Sequence, residues 1–380
     1  MQLLGGLSAK NFLSRFWQKK PLLIRDAIPG FAGIIQASEL FRLAGRDDVE
    51  SRIVGRRAGR WTLAQGPFSR VDIARQPRTR WTLLVQGVNL SHPPAEALLR
   101  RFAFIPYARL DDVMVSYAAP GGGVGPHVDS YDVFLLQGAG RRRWRLSGKV
   151  AGEFDGLYDK AAPLRVLKRF RPEQEWVLGP GDMLYLPPGW AHEGTALDAC
   201  TTCSIGFRAP ARAELASEFY AWLALRAGAG TNLRGLYEDA GLRPAANAGD
   251  IPRGLVRAAA RAVRAVRWSD QDLTSFVGTY LTTPKARVVF EAPRRPLGLA
   301  DFSRRCRRAG VALDPRTQLL FHGRRFFVNG EALAPSRAIA RPLARLAHAR
   351  RLGAGPLPAP LCALLHRWYL SGWARPDGGG

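Results

Sequence analysis

Pro120-Gly121-Gly122-Gly123-Val124-Gly125-Pro126-His127-Val128-Asp129 is the stretch on which the reading of this chain turns. Its four glycines and two prolines make a loop whose backbone can come close to a ligand. His127 and Asp129 stand two residues apart, the spacing that puts both side chains on one face of a strand. A third ligand must come from a distant strand that barrel closure brings alongside. The candidate is His192, which ends the run Gly179-Pro180-Gly181-Asp182-Met183-Leu184-Tyr185-Leu186-Pro187-Pro188-Gly189-Trp190-Ala191-His192. That run reads as turn, strand, second turn and then histidine, with the Pro-Pro-Gly turn aiming His192 back at the barrel mouth. Two imidazoles and one carboxylate form a facial triad that leaves three metal positions open, as non-haem Fe(II) oxygenases need for a bidentate keto acid and O2. A structural zinc site would be closed. His92, His322, His348 and His366 stand in no such context and read as ordinary surface or core residues.

Outward from this stretch, the pattern between about residues 51 and 207 is rich in short strands with Gly and Pro punctuation. Expected strands are 52–54, 61–64, 81–85, 113–118, 133–137, 143–146, 176–178, 183–186 and 202–207, interrupted by a helix over 94–102. Many short punctuated strands argue for a barrel or double-sheet jelly roll. Before them, Ser8 can cap a helix over 9–17, Pro21 stops it, and 22–24 reads as a strand, with a further short helix over 38–44.

A 2-oxoglutarate cosubstrate needs a cation for its far carboxylate, and Arg supplies it best through a bidentate fork. In Arg141-Arg142-Arg143-Trp144-Arg145-Leu146, Trp144 and Leu146 mark the inward side, so parity turns Arg142 inward and the other arginines outward. A buried Arg needs an anionic partner, either the cosubstrate or a protein carboxylate. Asp112, Met114 and Ser116 share one face of the strand that leads into the Gly loop. Ser116 could therefore reach the cosubstrate, and Asp112, further out, could hold a basic substrate side chain. Tyr131 has the parity of the two ligands.

After Pro210 the character changes. Residues 211–226 form an amphipathic helix with Leu215, Phe219, Trp222 and Leu223 on one face, suited to a dimer interface or to packing on the same chain. A loop containing Gly228, Gly230, Pro244 and Gly249 follows, then a helix over 252–267 with a stripe of Arg253, Arg257, Arg261 and Arg264. Ser269 caps the next helix, to about 281. Strands are expected over 288–291, 318–321 and 326–328, with helices over 302–309, 336–348 and 361–369, a layout like a winged helix. The expected divisions are 1–210, 211–268 and 269–380.

Composition sets the outer limits. With 56 basic against 31 acidic residues, the chain of 380 carries a net charge of +25. An anionic partner such as ribosomal RNA would account for this, and so would the bias of an Ala/Arg/Gly/Pro-rich chain. Four cysteines give no disulfide framework and fit a reducing cytosol. Cys200 and Cys203 form a C-x-x-C, but on a strand residues three apart face opposite sides. No run of 18 apolar residues exists, so a soluble, cytoplasmic protein without membrane contact is expected.

The motifs together carry a resemblance. They are Phe16-Trp17-Gln18-Lys19-Lys20-Pro21-Leu22-Leu23-Ile24, the Gly loop through His127 and Asp129 to Phe134, Gln137 through Arg145, Pro187 through Gly194, and Gly206-Phe207-Arg208-Ala209-Pro210. Spread over about residues 12–210, they resemble the bacterial ribosomal oxygenases, JmjC-type hydroxylases of the cupin superfamily, above all the arginine hydroxylases of large-subunit ribosomal protein L-sixteen. The C-terminal half is similar only in layout. The resemblance implies an α+β chain with a double-stranded β-helix (JmjC/cupin jelly roll), a helical dimerisation region and a winged-helix domain. It implies Fe(II) on His127, Asp129 and His192, with 2-oxoglutarate and O2 as cosubstrates, and Arg142 with Ser116 on the 2-oxoglutarate. It also implies Asp112, Met114, Tyr131 and Ser204 around a substrate arginine, which is hydroxylated at the β-carbon with release of succinate and CO2. A homodimer acting on a ribosomal protein, with ribosomal RNA or ribosomal-particle contact, completes the expectation. Other substrates within the class are a ribosomal histidine or a methylated lysine. Outside it stand a non-oxygenase metal cupin and an RNA-binding protein with an inert barrel.

Overall fold

The computed structural model describes residues 2–150, 155–230 and 236–378. Helix α1 (Ala9–Arg15) opens on Ser8, whose hydroxyl accepts from the Asn11 N–H at 3.1 Å, satisfying one of the free donors at a helix start. After it come β1 (Leu22–Ile24), α2 (Ala37–Leu43), β2 (Ser51–Arg57), β3 (Arg60–Gln65), α3 (Arg70–Ala74), β4 (Trp81–Val85) and α4 (Pro93–Arg100). The central strands are β5 (Leu110–Ala118), β6 (His127–Val128), β7 (Val133–Gln137), β8 (Arg142–Lys149), β9 (Gln174–Leu178), β10 (Met183–Leu186), β11 (Trp190–Ala196) and β12 (Cys200–Phe207).

They form two facing sheets. One has eight strands in the order β1-β10-β7-β12-β5-β4-β2-β3; the other has four, β6-β11-β8-β9. All pairings recorded between these strands are antiparallel. Alternation sorts the side chains. Phe134 and Leu136 of β7 face outward into a core shared with Phe12, Leu40, Phe102 and Phe207, where the N-terminal helices cover the sheet. Val133 and Leu135 face inward against Trp144, Leu146 and Leu178 of the second sheet. With both faces covered, β7 is a continuous apolar run. Truncating the fully buried Phe134 to Ala would cost about 3–5 kcal/mol.

The C-terminal half begins with α5 (Arg212–Gly230), whose Phe219 and Leu223 pack on Phe276 of α7 (Asp270–Thr282), and α6 (Arg253–Ala265) lies between them in the chain. Then follow α8 (Leu299–Ala309), β13 (Val311–Leu313), β14 (Leu319–His322), β15 (Arg325–Val328), β16 (Glu331–Leu333), α9 (Arg337–Ala349), β17 (Arg351–Leu352), α10 (Ala359–Leu370) and β18 (Ala374–Pro376). This half has its own core, around Phe302, Leu343, Leu361 and Trp368. It docks on the barrel through the end of α9: Tyr107 Oη donates to the His348 carbonyl at 3.0 Å and Arg100 Nη1 to the Ala349 carbonyl at 3.3 Å. The last carbonyls of a helix lack intrahelical donors, and a cation there also meets the helix dipole favourably.

Several expectations need correction. Residues 288–291 form no strand; the Val289 carbonyl is met by Arg316 Nη1 at 2.5 Å instead of by a neighbouring ladder. The small hairpin is a three-stranded meander, β14-β15-β16, and β17-β13-β18 make a further sheet. Helix α5 runs on through Gly228 and Gly230, so the loop expected there starts later, and residues 231–235 lie outside those described. His192 sits within strand β11. No helix among the described residues is long and apolar enough to cross a membrane.

Candidate metal centre and cleft

The glycine loop is tight for a steric reason. A Cβ on Gly123 would come within 2.4 Å of the Gly194 carbonyl, and Gly125, at φ +78°, would drive one into Trp61 at 2.7 Å. The loop therefore lies flat across the barrel mouth and delivers His127 into β6. There His127 is the direct antiparallel partner of His192 on β11, with ring centroids 4.2 Å apart. The register of two non-local strands, rather than the turn before β11, thus sets the pair.

Asp129 completes the group. Its carboxylate oxygens lie 3.9 Å from His127 Nε2 and 3.7 Å from His192 Nε2, and the three candidate ligand atoms are all within 4.8 Å of one another. Each imidazole is oriented from behind. His127 Nδ1 lies 2.9 Å from the Gly125 carbonyl and His192 Nδ1 2.9 Å from that of Trp190. A carbonyl only accepts, so Nδ1 carries the proton and Nε2 presents its lone pair to the site. Burial above all pushes His192 down to about 4, which keeps it neutral and able to ligate. Two imidazoles and a carboxylate on one side of an open cleft fit a divalent metal with vacant positions.

The chain segment behind Asp129 is clamped. Buried Asp132 accepts from Tyr185 Oη at 2.6 Å and from Gln18 Nε2 at 3.0 Å, with Arg109 Nη2 at 3.3 Å. The Asp129 carbonyl also accepts from the Gly189 N–H at 2.9 Å. The loop on each side of the candidate ligands is therefore tied to the barrel and to the end of α1.

A cleft of about 1500 Å³ opens from this group. Asp112, Met114, Ser116, Tyr131, Arg142 and Ser204 all line it together with His127, Asp129 and His192. Arg142 is only 5% exposed. Its Nη1 donates to Ser116 Oγ at 3.3 Å and to Thr202 Oγ1 at 3.2 Å, while its buried Nε has no partner. No carboxylate pairs with it among the described residues. Burial pulls its pKa down, but a guanidinium stays charged. A buried cation that meets hydroxyls and the Trp144 ring but no carboxylate is the complement of an anionic ligand.

Asp112 faces the same cleft from β5, 8% exposed, and accepts from the Gly87 N–H at 2.7 Å. Burial, reinforced by the charge of Asp111, raises it to about 6. The negative charge of Asp129, together with burial, raises the Tyr131 phenol. Cys200 and Cys203 are both buried as free thiols on opposite sides of β12, in different clusters. Sequence reading missed Thr202, whose hydroxyl accepts from Arg142 and donates to Gln137 Oε1 at 3.0 Å. Its parity with Ser204 was the available signal.

An antiparallel double sheet with two histidines and an aspartate at one mouth defines the JmjC-type double-stranded β-helix. Comparison with known proteins agrees. Residues 97–215 match the family model for the JmjC domain, and residues 265–375 match that for the ROXA-like winged helix. The chain is similar to the ribosomal protein uL16 3-hydroxylase of Escherichia coli, with 40% identity over 245 residues, 64% of this chain and 63% of that protein. A probable ribosomal oxygenase of Haemophilus influenzae is 38% identical over 209 residues, 54% of this chain and 50% of that one. These sequence matches thus span half to just under two thirds of the relatives' lengths. In structure, the chain is similar to the Escherichia coli ribosomal oxygenase YcfD in complex with cobalt and 2-oxoglutarate, with a TM-score of 0.80 and 31% identity, covering 97% of this chain and 98% of that one. The chain belongs to the JmjC-domain ribosomal oxygenases.

Proposed function

We propose that this protein is an Fe(II)- and 2-oxoglutarate-dependent dioxygenase that hydroxylates the β-carbon of an arginine in large-subunit ribosomal protein uL16. The observation that carries the reading is Arg142, a buried cation without a carboxylate partner, opening on the cleft that holds His127, Asp129 and His192. A non-oxygenase metal cupin has no need of such a cation. The Escherichia coli relative is a uL16 3-hydroxylase by name, and that supports the substrate.

His127 and His192 would hold the iron through Nε2 and Asp129 through a carboxylate oxygen. Bound Fe(II) supplies O2 activation coupled to decarboxylation of 2-oxoglutarate to succinate and CO2. The remaining work falls to the chain's own side chains. Arg142 and Ser116 hold the far carboxylate of 2-oxoglutarate. Asp112 takes the substrate guanidinium in a charge-assisted hydrogen bond and sets which carbon faces the metal. Met114, Tyr131 and Ser204 wall the pocket and exclude water. A neutral imidazole offers a buried carboxylate one N–H and no charge, so Asp112 favours arginine over a histidyl substrate.

The reading extends to assembly. Residues 1–210 serve as the catalytic unit, 211–268 as a homodimerisation region and 269–380 as the winged-helix unit. Exposed Tyr220, Leu225, Val263 and Trp268 supply apolar surface for the dimer. The exposed arginines of α8, Arg304, Arg305, Arg307 and Arg308, favour contact with ribosomal RNA. The compartment is the cytoplasm, where ribosomes are assembled.

Intact-mass analysis of ribosomal proteins incubated with enzyme, Fe(II), ascorbate and 2-oxoglutarate tests the core of this reading. One added oxygen on uL16, placed on arginine by fragmentation, is expected. Conversion of 2-oxoglutarate without oxygen on any ribosomal protein would keep the oxygenase and discard the substrate.

A further inference from the structure

The inner face of the eight-stranded sheet presents its residues in rows across the cleft. The register of β12, β5 and β4 aligns Cys200, Ala118 and Thr82 in one row and Thr202, Ser116 and Leu84 in the next. Ser204 and Met114 begin the third row. Gln86 stands two residues past Leu84, with the same parity, and so completes that row beside Met114. Its own N–H donates to the Glu50 carbonyl at 2.9 Å, which holds the backbone there in the line of the sheet. The second row is where Arg142 meets Ser116 and Thr202. A side chain lying beyond a cosubstrate bound there must lie along the third row.

Gln86 has no side-chain partner in that row. Its Oε1 is buried, lines the cleft, and makes no hydrogen bond among the described residues. Three other cleft-lining residues have a buried unpartnered polar atom, namely Thr82, Arg142 and Trp144. None of them stands in the third row. A buried carbonyl without a donor carries a real cost, which a leucine of similar size would avoid. Along β5, the residue after Met114 on the same face is Asp112, also an acceptor. Asp112 accepts from Gly87, the residue next to Gln86, and two acceptors on neighbouring rows of one cleft, one charged and one neutral, match a planar guanidinium with its five donors. A neutral imidazole has a single N–H and can serve only one of them.

We propose that Gln86 is a substrate-binding residue, whose Oε1 accepts a hydrogen bond from the guanidinium that Asp112 holds by charge. The proposal rests on the arginine reading given above and adds a second determinant of that specificity.

The test is peptide binding to the whole protein, loaded anaerobically with Fe(II) and 2-oxoglutarate, read by fluorescence anisotropy. Two labelled uL16 peptides are used, one with the target arginine and one with norleucine in its place. Gln86→Leu should weaken the arginine peptide by about 5- to 30-fold, the size of one or two hydrogen bonds. It should leave binding of the norleucine peptide as in the wild type. Equal binding of the arginine peptide by both proteins overturns the proposal. So does a loss that persists with norleucine, since Gln86 would then only shape the pocket. A wild-type protein that does not distinguish the two peptides removes the arginine reading itself, and this proposal with it. Should the leucine variant fail to fold, Gln86→Met carries the same expectation, because its flexible chain fits the same space.

Discussion

The two ends of the cleft mirror each other. At one, Arg142 is a buried cation that donates to the hydroxyls of Ser116 and Thr202 and lies over the Trp144 ring at 5.6 Å, with no carboxylate beside it among the described residues. At the other, Asp112 is a buried carboxylate that meets only the Gly87 N–H. Neither has an ion-pair partner among the described residues, whereas neighbouring Asp111 has two, Lys285 at 2.8 Å and Arg208 at 3.4 Å. Asp112 and Ser116 stand four residues apart on β5, roughly 13 Å at the rise of a strand. The charges are thus too far apart to satisfy each other and far enough apart to hold two ligands end to end. The difference teaches that the net charge of +25 says little about this site. The proposed placement of the two ligands rests instead on two unmet charges of opposite sign.

His127, Asp129 and His192 line the same cleft and would hold the metal there, so loss of a ligand should abolish hydroxylation. His192→Ala is expected to bring hydroxylation below detection and to lower the iron content of the purified protein. Retained activity would mean that His192 is no ligand. The comparison is sharpened by Arg142→Met. Its affinity for 2-oxoglutarate should fall by about 30- to several thousand-fold, the cost of removing one member of a buried ion pair. Without 2-oxoglutarate, the same variant should be more stable than the wild type by about 1–4 kcal/mol, because an uncompensated buried cation has been removed. Calorimetry of the ligand-free proteins checks this. A drop in stability would show that Arg142 is satisfied by the protein alone.

At the opposite end, Asp112→Asn should weaken the arginine peptide about 10- to 100-fold and leave 2-oxoglutarate binding intact. The pH dependence has a definite sign. Burial raises Asp112 to about 6, so it loses its charge as pH falls through 6, and peptide affinity should fall with it. Stability moves the other way. Because the folded state holds this proton more tightly than the unfolded state, the fold is favoured at low pH and loses that contribution as pH rises from about 4 to 6. Above pH 6 Asp112→Asn should therefore be the more stable protein, by about 1–3 kcal/mol. A flat peptide-affinity profile between pH 5 and 7, measured by anisotropy, would remove Asp112 from the substrate pocket.

Much of this pair of ends was legible in the chain, because strand alternation is a local rule. Arg142 turns inward where Trp144 and Leu146 do, and Asp112, Met114 and Ser116 keep one parity. His127 and Asp129 followed from the same spacing. His192 was legible as the third ligand from its motif, but its direct pairing with His127 was not. Its register belongs to β6 and β11, two strands more than 60 residues apart. Strand β11 itself gave no signal, since Trp190-Ala191-His192-Glu193-Gly194-Thr195-Ala196 lacks apolar alternation. Residues 288–291 err in the opposite direction. Val288, Val289 and Phe290 have strand propensity, but no neighbouring strand is there to pair with them. Gln86 was unreadable for a simpler reason, and Thr202 had only its parity with Ser204 to mark it. A single polar residue on a strand gains its full meaning only when the partners across the cleft are known.

The smallest expected effect lies at the rim of the cation-binding end. Two acids of α5, Glu214 and Glu218, line the cleft. Glu214 is engaged, with Tyr280 Oη donating to it at 2.5 Å. Glu218 is exposed and has no ion-pair partner among the described residues. A protein of net charge +25 repels a basic ribosomal peptide at long range, so an acid at the mouth offers local attraction against that field. Such an exposed charge is screened beyond about 10 Å at 0.1 M salt and acts on encounter more than on residence. Glu218→Gln should therefore slow association of the arginine peptide about twofold at low salt, with the difference gone by about 0.5 M. Stopped-flow anisotropy separates the two rates. Slower association at every salt concentration, or faster dissociation with unchanged association, would move Glu218 from the rim into the bound complex. The cation-binding end of the cleft would then extend onto α5, and the likeness to the compact site around Arg142 would break.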